Sequence, residues 1–583
     1  MNITVDVLKK RILAARREIP ADLVLKEGKV INVFSGEVQE RDVALYDGVV
    51  VGLGPAYQGS EEISLKGKWV IPGLIDAHLH IESTMLLPSR LAAALLPHGT
   101  TTLVADPHEI GNVMGIEGIK FMIKESASLP LDIFFMAPSC IPATHLETAG
   151  ARLAASDLAV LKRETRVLGL AEMMNFPGVL MGTPEVLEKL ALFGDKIIDG
   201  HAPSLTGYDL QAYVAAGMRS DHETTERIEG MEKLNSGMMI MIREGTTAKN
   251  LEDLLPLVTT ENARRFCFVS DDLHPQEIQR RGHLDFILRK AMNLGLDPVL
   301  AVQMATLNPA EYFGFKDRGA VAPGFRADLL VLTDLERFEL ERVFKGGKLV
   351  AHGGKLMDFP RADEESVQLR SMNVAPLTLE SFRIPHEDRR ARVIELIPGQ
   401  ILTHIRYEYI KSENGWVKSD IDRDILKLAV VERHKATGNI GLGLVMGFGL
   451  DEGALASSVA HDSHNLIAVG VDDHEIWQSI EEVKQMGGGM AVVNDGKVLA
   501  KVPLEVAGLM SRESLEGLTE KLDGANRAAS SLGCTVPEPF MSLSFLALPV
   551  IPELKLTDLG LVDVEKFSLV SLFVDENTQK GKQ

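Results

Sequence analysis

Cysteine is scarce in this chain. Its three cysteines, Cys140, Cys267 and Cys534, lie far apart and form no C-x-x-C pair. A disulfide framework is therefore not expected, and a reducing cytoplasm fits. The same absence excludes the zinc enzymes that combine H-x-E with P-C-x-x-C. Long apolar runs are missing too, and none approaches the ~18 residues of a membrane-spanning helix. The opening MNITVDVLKKRILAARREIP lacks the apolar stretch and the small-residue cleavage site of a secretory signal. It reads as a short amphipathic helix ending before Pro20. Positive charge is in deficit: 61 lysines and arginines stand against 82 acidic residues, for a net charge of -21. A field of that sign repels nucleic acid and anionic membrane surfaces. The expected partner is a small molecule, and a homodimer stays open. No repeat of solenoid period occurs. MGGGM at 486–490 lacks the Lys-Ser/Thr of a phosphate loop and reads as a turn.

What is present is an ordinary globular composition, 45% hydrophobic and 25% charged. At 583 residues the chain is too long for one core, so two to four domains are expected. Residues 21–72 read as short strands with Gly turns, and the texture returns at 319–358, where ADLLVL echoes the earlier ADLVL. Between them, apolar runs alternate with helical patterns: LIDAHLH (74–80), TTLVAD (101–106), LDIFFMAPSC (131–140), VLGLAEMM (167–174), KIIDGHAP (196–203), AGMRSDHE (216–223), GMMIMIREG (237–245) and RFCFVSDD (265–272). Eight such runs predict an α/β chain built on a (β/α)8 TIM-like barrel, whose strands are buried on both faces. The expected plan is an N-terminal helix and part of a small β-sandwich domain over 1–72, the catalytic barrel over 73–318, the rest of the sandwich over 319–365, and an α+β C-terminal domain over 370–583. The tail DENTQKGKQ is expected to be disordered.

Polar residues gather at the C-terminal ends of the runs, the rim where such barrels place their active sites. His78 and His80 share one face of the first run at period 2. Glu172 ends the fourth run, His201 the fifth, His222 the sixth, and Asp271 or Asp272 the eighth. Four imidazoles and two carboxylates converging on one point suit two divalent ions of borderline character, Fe, Mn, Co or Zn. Glu82, His108 and Glu109 follow the first two runs, and Glu223, Arg243 and Glu244 stand at the rim. They are candidates for meeting the substrate, with Glu82 and Glu109 also candidates for proton transfer. HDSHN, with His461, Asp462 and His464, reads as a polar turn, and a further metal site or a cover over the barrel mouth are the alternatives.

These residues carry a resemblance. GLIDAHLHIES, HAP, SDHE, SDD and VAPGFRADLLVL, over about 1–358, resemble the amidohydrolase superfamily. DAHLHIEST, ADPHEIGN, AEMMNFPGV and DGHAP, together with GLGLVMGFGL and SVAHDSHNLIAVG in the last region, are similar to the adenine deaminases within it. The resemblance implies hydrolysis of adenine to hypoxanthine and ammonia in purine salvage, with a metal-bridged hydroxide attacking C6. It also implies that His78, His80 and Asp271 hold one ion and His201 and His222 the other, with Mn or Fe preferred. Many binuclear relatives place a carboxylated lysine at the end of the fourth strand. Here GLAEMMN offers Glu172 instead, a carboxylate that bridges without CO2. Asp271 is preferred over Asp272 because it directly follows the small polar Ser270, and it would also shuttle the proton. Two other functions stay open on sequence grounds: hydrolysis of a cyclic amide, and a catalytically silent scaffold.

Overall fold

The computed structural model describes residues 4–246, 248–357, 369 and 371–574. The expected boundary at 365–370 falls largely outside the described residues, and the tail at 575–583 falls wholly outside them. The N-terminal helix spans Val5–Ala15, and Thr4 caps it by accepting the Val7 N–H.

All eight apolar runs form parallel strands: Leu74–Leu79, Thr100–Ala105, Asp132–Ala137, Val167–Met173, Ile197–Gly200, Ser220–Asp221, Met239–Arg243 and Phe266–Val269. The first five make one sheet in sequence order, and the last three make a second. Two hydrogen bonds, each 3.0 Å long, join them into a ring. The Arg219 N–H donates to the Ile198 carbonyl, and the Asp271 N–H donates to the His78 carbonyl. Small and unbranched residues, including Ala77, Ala171, Met239, Met241 and Cys267, pack together in a buried cluster with Phe313. Arg318 reaches Thr102 and Asp132, where the second and third strands begin, and so helps close that end. The opposite rim is left to carry the polar residues.

The strands that precede and follow the barrel in sequence join one nine-stranded sheet. Trp69–Pro72 pairs antiparallel with Leu329–Asp334, Ile71 opposite Leu330, which ties the two halves together at the barrel's entry and exit. ADLVL and ADLLVL thus begin strands of the same sheet, around a shared core that includes Leu25, Val43, Val70, Leu329, Val331 and Phe344.

The last region is built on a second nine-stranded sheet, running from Thr403–Glu408 to Lys497–Pro503, with helices Asp473–Gln485 and Leu515–Ser531 beside it. It docks on the barrel. The Ser511 N–H donates to the Met85 carbonyl at 2.8 Å, and Arg90 Nε donates to the Arg512 carbonyl at 2.9 Å. Among the described residues, no helix is long and apolar enough to cross a membrane.

Candidate active site

The first strand ends in His78-Leu79-His80, and the next strand over fixes the second ring. His80 Nδ1 lies 3.2 Å from the Asp106 carbonyl, an acceptor only, so Nδ1 carries the hydrogen and Nε2 turns inward as a lone pair. That lone pair meets His78 Nε2 at 3.1 Å, Asp271 Oδ1 at 3.3 Å and Glu172 Oε1 at 3.4 Å. The two oxygens of Glu172 face different histidines. Oε1 looks toward His80 and His108, at 3.4 and 3.5 Å, and Oε2 toward His201 and His222, at 2.5 and 3.1 Å. His222 stacks on His78 with ring centroids 4.1 Å apart. Tyr213 fastens the fourth and fifth strand ends by donating to the Met173 carbonyl and accepting the His201 N–H.

Asp271 sits in the left-handed region at φ 56°, which a short polar side chain tolerates. Its Oδ1 faces the two histidines of the first strand, and its Oδ2 accepts from Arg243 at 3.0 Å. Asp272 points elsewhere, accepting from Ser83 Oγ at 2.5 Å. Arg243 is also forked onto Glu223.

The electrostatics are those of a charge-dense, dry site. Burial works to raise the Glu172 carboxyl, but the charges of His201 and His222 hold it well below the usual range. Burial likewise opposes Asp271, and its close contacts with His78 and His80, with Arg243 beside them, pull it well down. His222 is pushed up to about 9, Glu172 outweighing the burial that disfavours its cation. Glu82 behaves oppositely. Burial raises its carboxyl to about 7, although the Ile110 N–H donates to Oε1 at 3.0 Å. Its Oε2 is buried without a partner.

This donor set fits divalent cations. Acceptor atoms of His78, His80, Glu172, His222 and Asp271 face one another, and grouped donor atoms lie within 4.8 Å of each other. Imidazole lone pairs and carboxylate oxygens meet so closely only around protons or a cation.

Beside the donor set lies a cavity, lined on the barrel side by Glu82, Ser83, Glu109 and Asp272 and on the other side by C-terminal residues including His461 and Phe540.

Comparison with known proteins follows this geometry. Residues 69–350 match the model of the amidohydrolase family, and residues 400–568 match that of the adenine deaminase C-terminal domain. Adenine deaminase of Desulfatibacillum aliphaticivorans is 52% identical over 96% of this chain and 99% of its own. Proteins of the same name from Dehalococcoides mccartyi and Geobacillus kaustophilus are 49% and 45% identical, each over 97% of this chain and 99% of theirs.

The chain belongs to the adenine deaminase family. Within this family member the structure brings His78, His80, Glu172, His201, His222 and Asp271 to one point, as the strand-end pattern led one to expect. It places other candidates differently. His108, read from sequence as a substrate contact, lies in the donor cluster with His80, Asp106 and Glu172. Its Nδ1 is 3.1 Å from Asp106. Glu223 and Arg243 pair with each other, with Glu223 3.6 Å from His222 Nε2. Glu244 turns away from the cavity and pairs with Lys290 at 2.7 Å.

Two findings were not legible. Asp106, in ADPHE, carries no separate signal in the sequence, because an Asp before Pro reads as turn chemistry. HDSHN does form a turn, over residues 461–463, and that turn also reaches over the barrel mouth, as the alternative reading had it. His461 Nδ1 lies 2.7 Å from Glu109 Oε1, and His464 Nε2 bonds Glu109 Oε2, so the loop reaches the barrel's second strand end. Two histidines spaced by three residues were the available signal.

Proposed function

We propose that this chain hydrolyses adenine to hypoxanthine and ammonia, in purine salvage in the cytoplasm. One observation carries the reading: six donor residues from five barrel strand ends converge beside a cavity, in a chain alike over nearly its full length to proteins named adenine deaminase. His78, His80, Asp271, His201 and His222 would hold two divalent ions, Mn or Fe by preference and Zn or Co as substitutes, with Glu172 presenting one oxygen to each side. When bound, the ions supply Lewis acidity that brings the pKa of water toward neutrality.

The remaining chemistry belongs to the chain's own residues. Water adds at C6 of the purine, and the C–N bond to the exocyclic amino group breaks. Asp271 is the group to receive the water's proton and return one to the departing nitrogen, because its two oxygens are held apart for two tasks. Arg243 fixes Oδ2, which leaves Oδ1 facing the inner histidines. Glu82 has an unpartnered oxygen and a carboxyl near neutrality, so it is fit to hold a proton for a ring nitrogen.

The test is ammonia release from adenine by protein loaded with Mn or Fe, beside a panel of dihydropyrimidines and hydantoins. Turnover of adenine alone is expected. Turnover of the cyclic amides with adenine inert would overturn the reading.

A further inference from the structure

The C-terminal domain reaches the cavity through one loop, and that loop is clamped at several points. The buried Arg433 donates to the His464 carbonyl, to Ser371 Oγ at 2.8 Å and to the Ala507 carbonyl at 3.1 Å. Asn465 donates to the Thr148 carbonyl, on the barrel side, at 2.9 Å. His461 stacks on Phe545, with centroids 4.7 Å apart and planes 21° from parallel. The two imidazoles are thereby held against Glu109.

The tautomer of His464 decides what the cluster is. Its Nδ1 accepts the Ala460 N–H at 3.1 Å, so in the neutral ring the hydrogen is on Nε2, which bonds Glu109 Oε2. An imidazole in that state has no lone pair at Nε2 for a metal. The cluster is therefore a carboxylate held by donors, not a third metal centre. Each Glu109 oxygen keeps acceptor capacity beyond its histidine, and the residue lines the cavity. Glu109 Oε1 is also 3.6 Å from His108 Nε2, and the Nδ1 of the same ring is 3.5 Å from Glu172. One imidazole width thus separates Glu109 from the donor set. A bicyclic base has the reach to put its six-membered ring at one and its five-membered ring at the other.

Resting on the adenine reading, we propose that Glu109 is the specificity-determining residue for the free base, accepting the imidazole-ring N–H of adenine, and that His461 and His464 are positioning residues supplied by the C-terminal domain. A substituent on that nitrogen removes the donor and leaves a buried carboxylate facing carbon, which a site built for a hydrogen bond rejects strongly. Such a site takes the free base in preference to the nucleoside.

The experiment compares adenine, 9-methyladenine and adenosine on metal-loaded wild type, Glu109→Gln and His464→Gln, with metal content measured on each. Wild type is expected to prefer adenine in kcat/KM. Glu109→Gln should raise KM for adenine about 10- to 100-fold with a smaller change in kcat, and should shrink the preference over 9-methyladenine. His464→Gln should move KM in the same direction by less, with metal content unchanged. An unchanged preference in a folded, fully loaded Glu109→Gln would overturn the proposal. So would loss of a metal equivalent in His464→Gln. If wild type does not turn over adenine, it is the underlying functional reading that fails.

Discussion

The barrel rim and the loop at 457–465 deliver histidines to the same neighbourhood by opposite means. At the rim, position follows from periodicity. A parallel strand ends, its last residues emerge at the C-terminal face, and strands around the ring aim them at a common axis. His78, Glu172, His201, His222 and Asp271 all arrive this way. On the loop, position follows from contacts distant in sequence. Arg433, Ser371 and Ala507 hold it from behind, and Asn465 fastens it in front. The rim masses its charges in mutual compensation, with Glu172 among four imidazoles and Asp271 between two imidazoles and Arg243. The C-terminal domain instead buries Arg433 and Lys555 against carbonyl and hydroxyl acceptors. The rim is thus sensitive to loss of any one charge, and the loop to loss of its clamp.

The sharpest break of this comparison is at Asp271 against Asp272. Asn at 271 keeps the shape and one coordinating oxygen but does not accept a proton at neutral pH. Asp271→Asn should retain most of its metal and lose about 10²–10⁴ in kcat. Asp272→Asn removes only the acceptor for Ser83 and should cost much less. Turnover with saturating adenine at matched metal content measures both. If Asp271→Asn stays within about tenfold of wild type while Asp272→Asn is dead, the two roles are exchanged.

Next in size is Glu172→Ala. Each Glu172 oxygen faces a different histidine set, so its loss should lower occupancy of at least one site, with affinity weakened about tenfold or more by analogy with lesser changes around metal sites. Elemental analysis after dialysis reads this directly. Full loading of two ions in the mutant would show that another group, Asp106 or His108 being nearest at hand, does the bridging.

How much of this was readable beforehand follows the same division. The eight runs, the flanking sheet and the six strand-end donors were legible because burial on both faces and a fixed rim leave a regular trace. His108 was legible as important but not as a neighbour of Glu172, because it opens the helix His108–Glu125 beyond the strand end and meets Glu172, 64 residues on, only once the ring of strands closes. The role of His461 and His464 was illegible. HDSHN has turn chemistry in isolation, and only docking of a domain more than 350 residues along the chain turns it toward Glu109.

The loop's clamp gives a smaller effect. Arg433→Met keeps the length of the side chain and removes its donors to His464, Ser371 and Ala507. The lost hydrogen bonds and the released buried charge oppose each other, so stability should change by no more than about 2 kcal/mol. KM for adenine should rise several-fold while metal content holds. A fall in melting temperature with KM unchanged would assign Arg433 to packing alone.

A pH series tests another buried basic group of the C-terminal domain. Lys555 is fully buried, and its Nζ donates to the Ile401 carbonyl at 2.8 Å. Burial pushes its amine down to about 7, whereas in the unfolded chain it titrates near 10.4. Between those values the unfolded chain holds a proton that the folded chain lacks. Stability should therefore rise with pH across that window, by at most about 1.4 kcal/mol per unit from this group. Lys555→Met removes the contribution. The difference in stability between wild type and mutant should shift toward wild type on going from pH 7.5 to 9.5, by about 2–3 kcal/mol at the upper limit. Denaturant unfolding followed at both pH values reads the shift. A difference that does not change with pH would mean that Lys555 keeps its proton in the fold, with the Ile401 carbonyl and its surroundings solvating the charge better than burial alone implies.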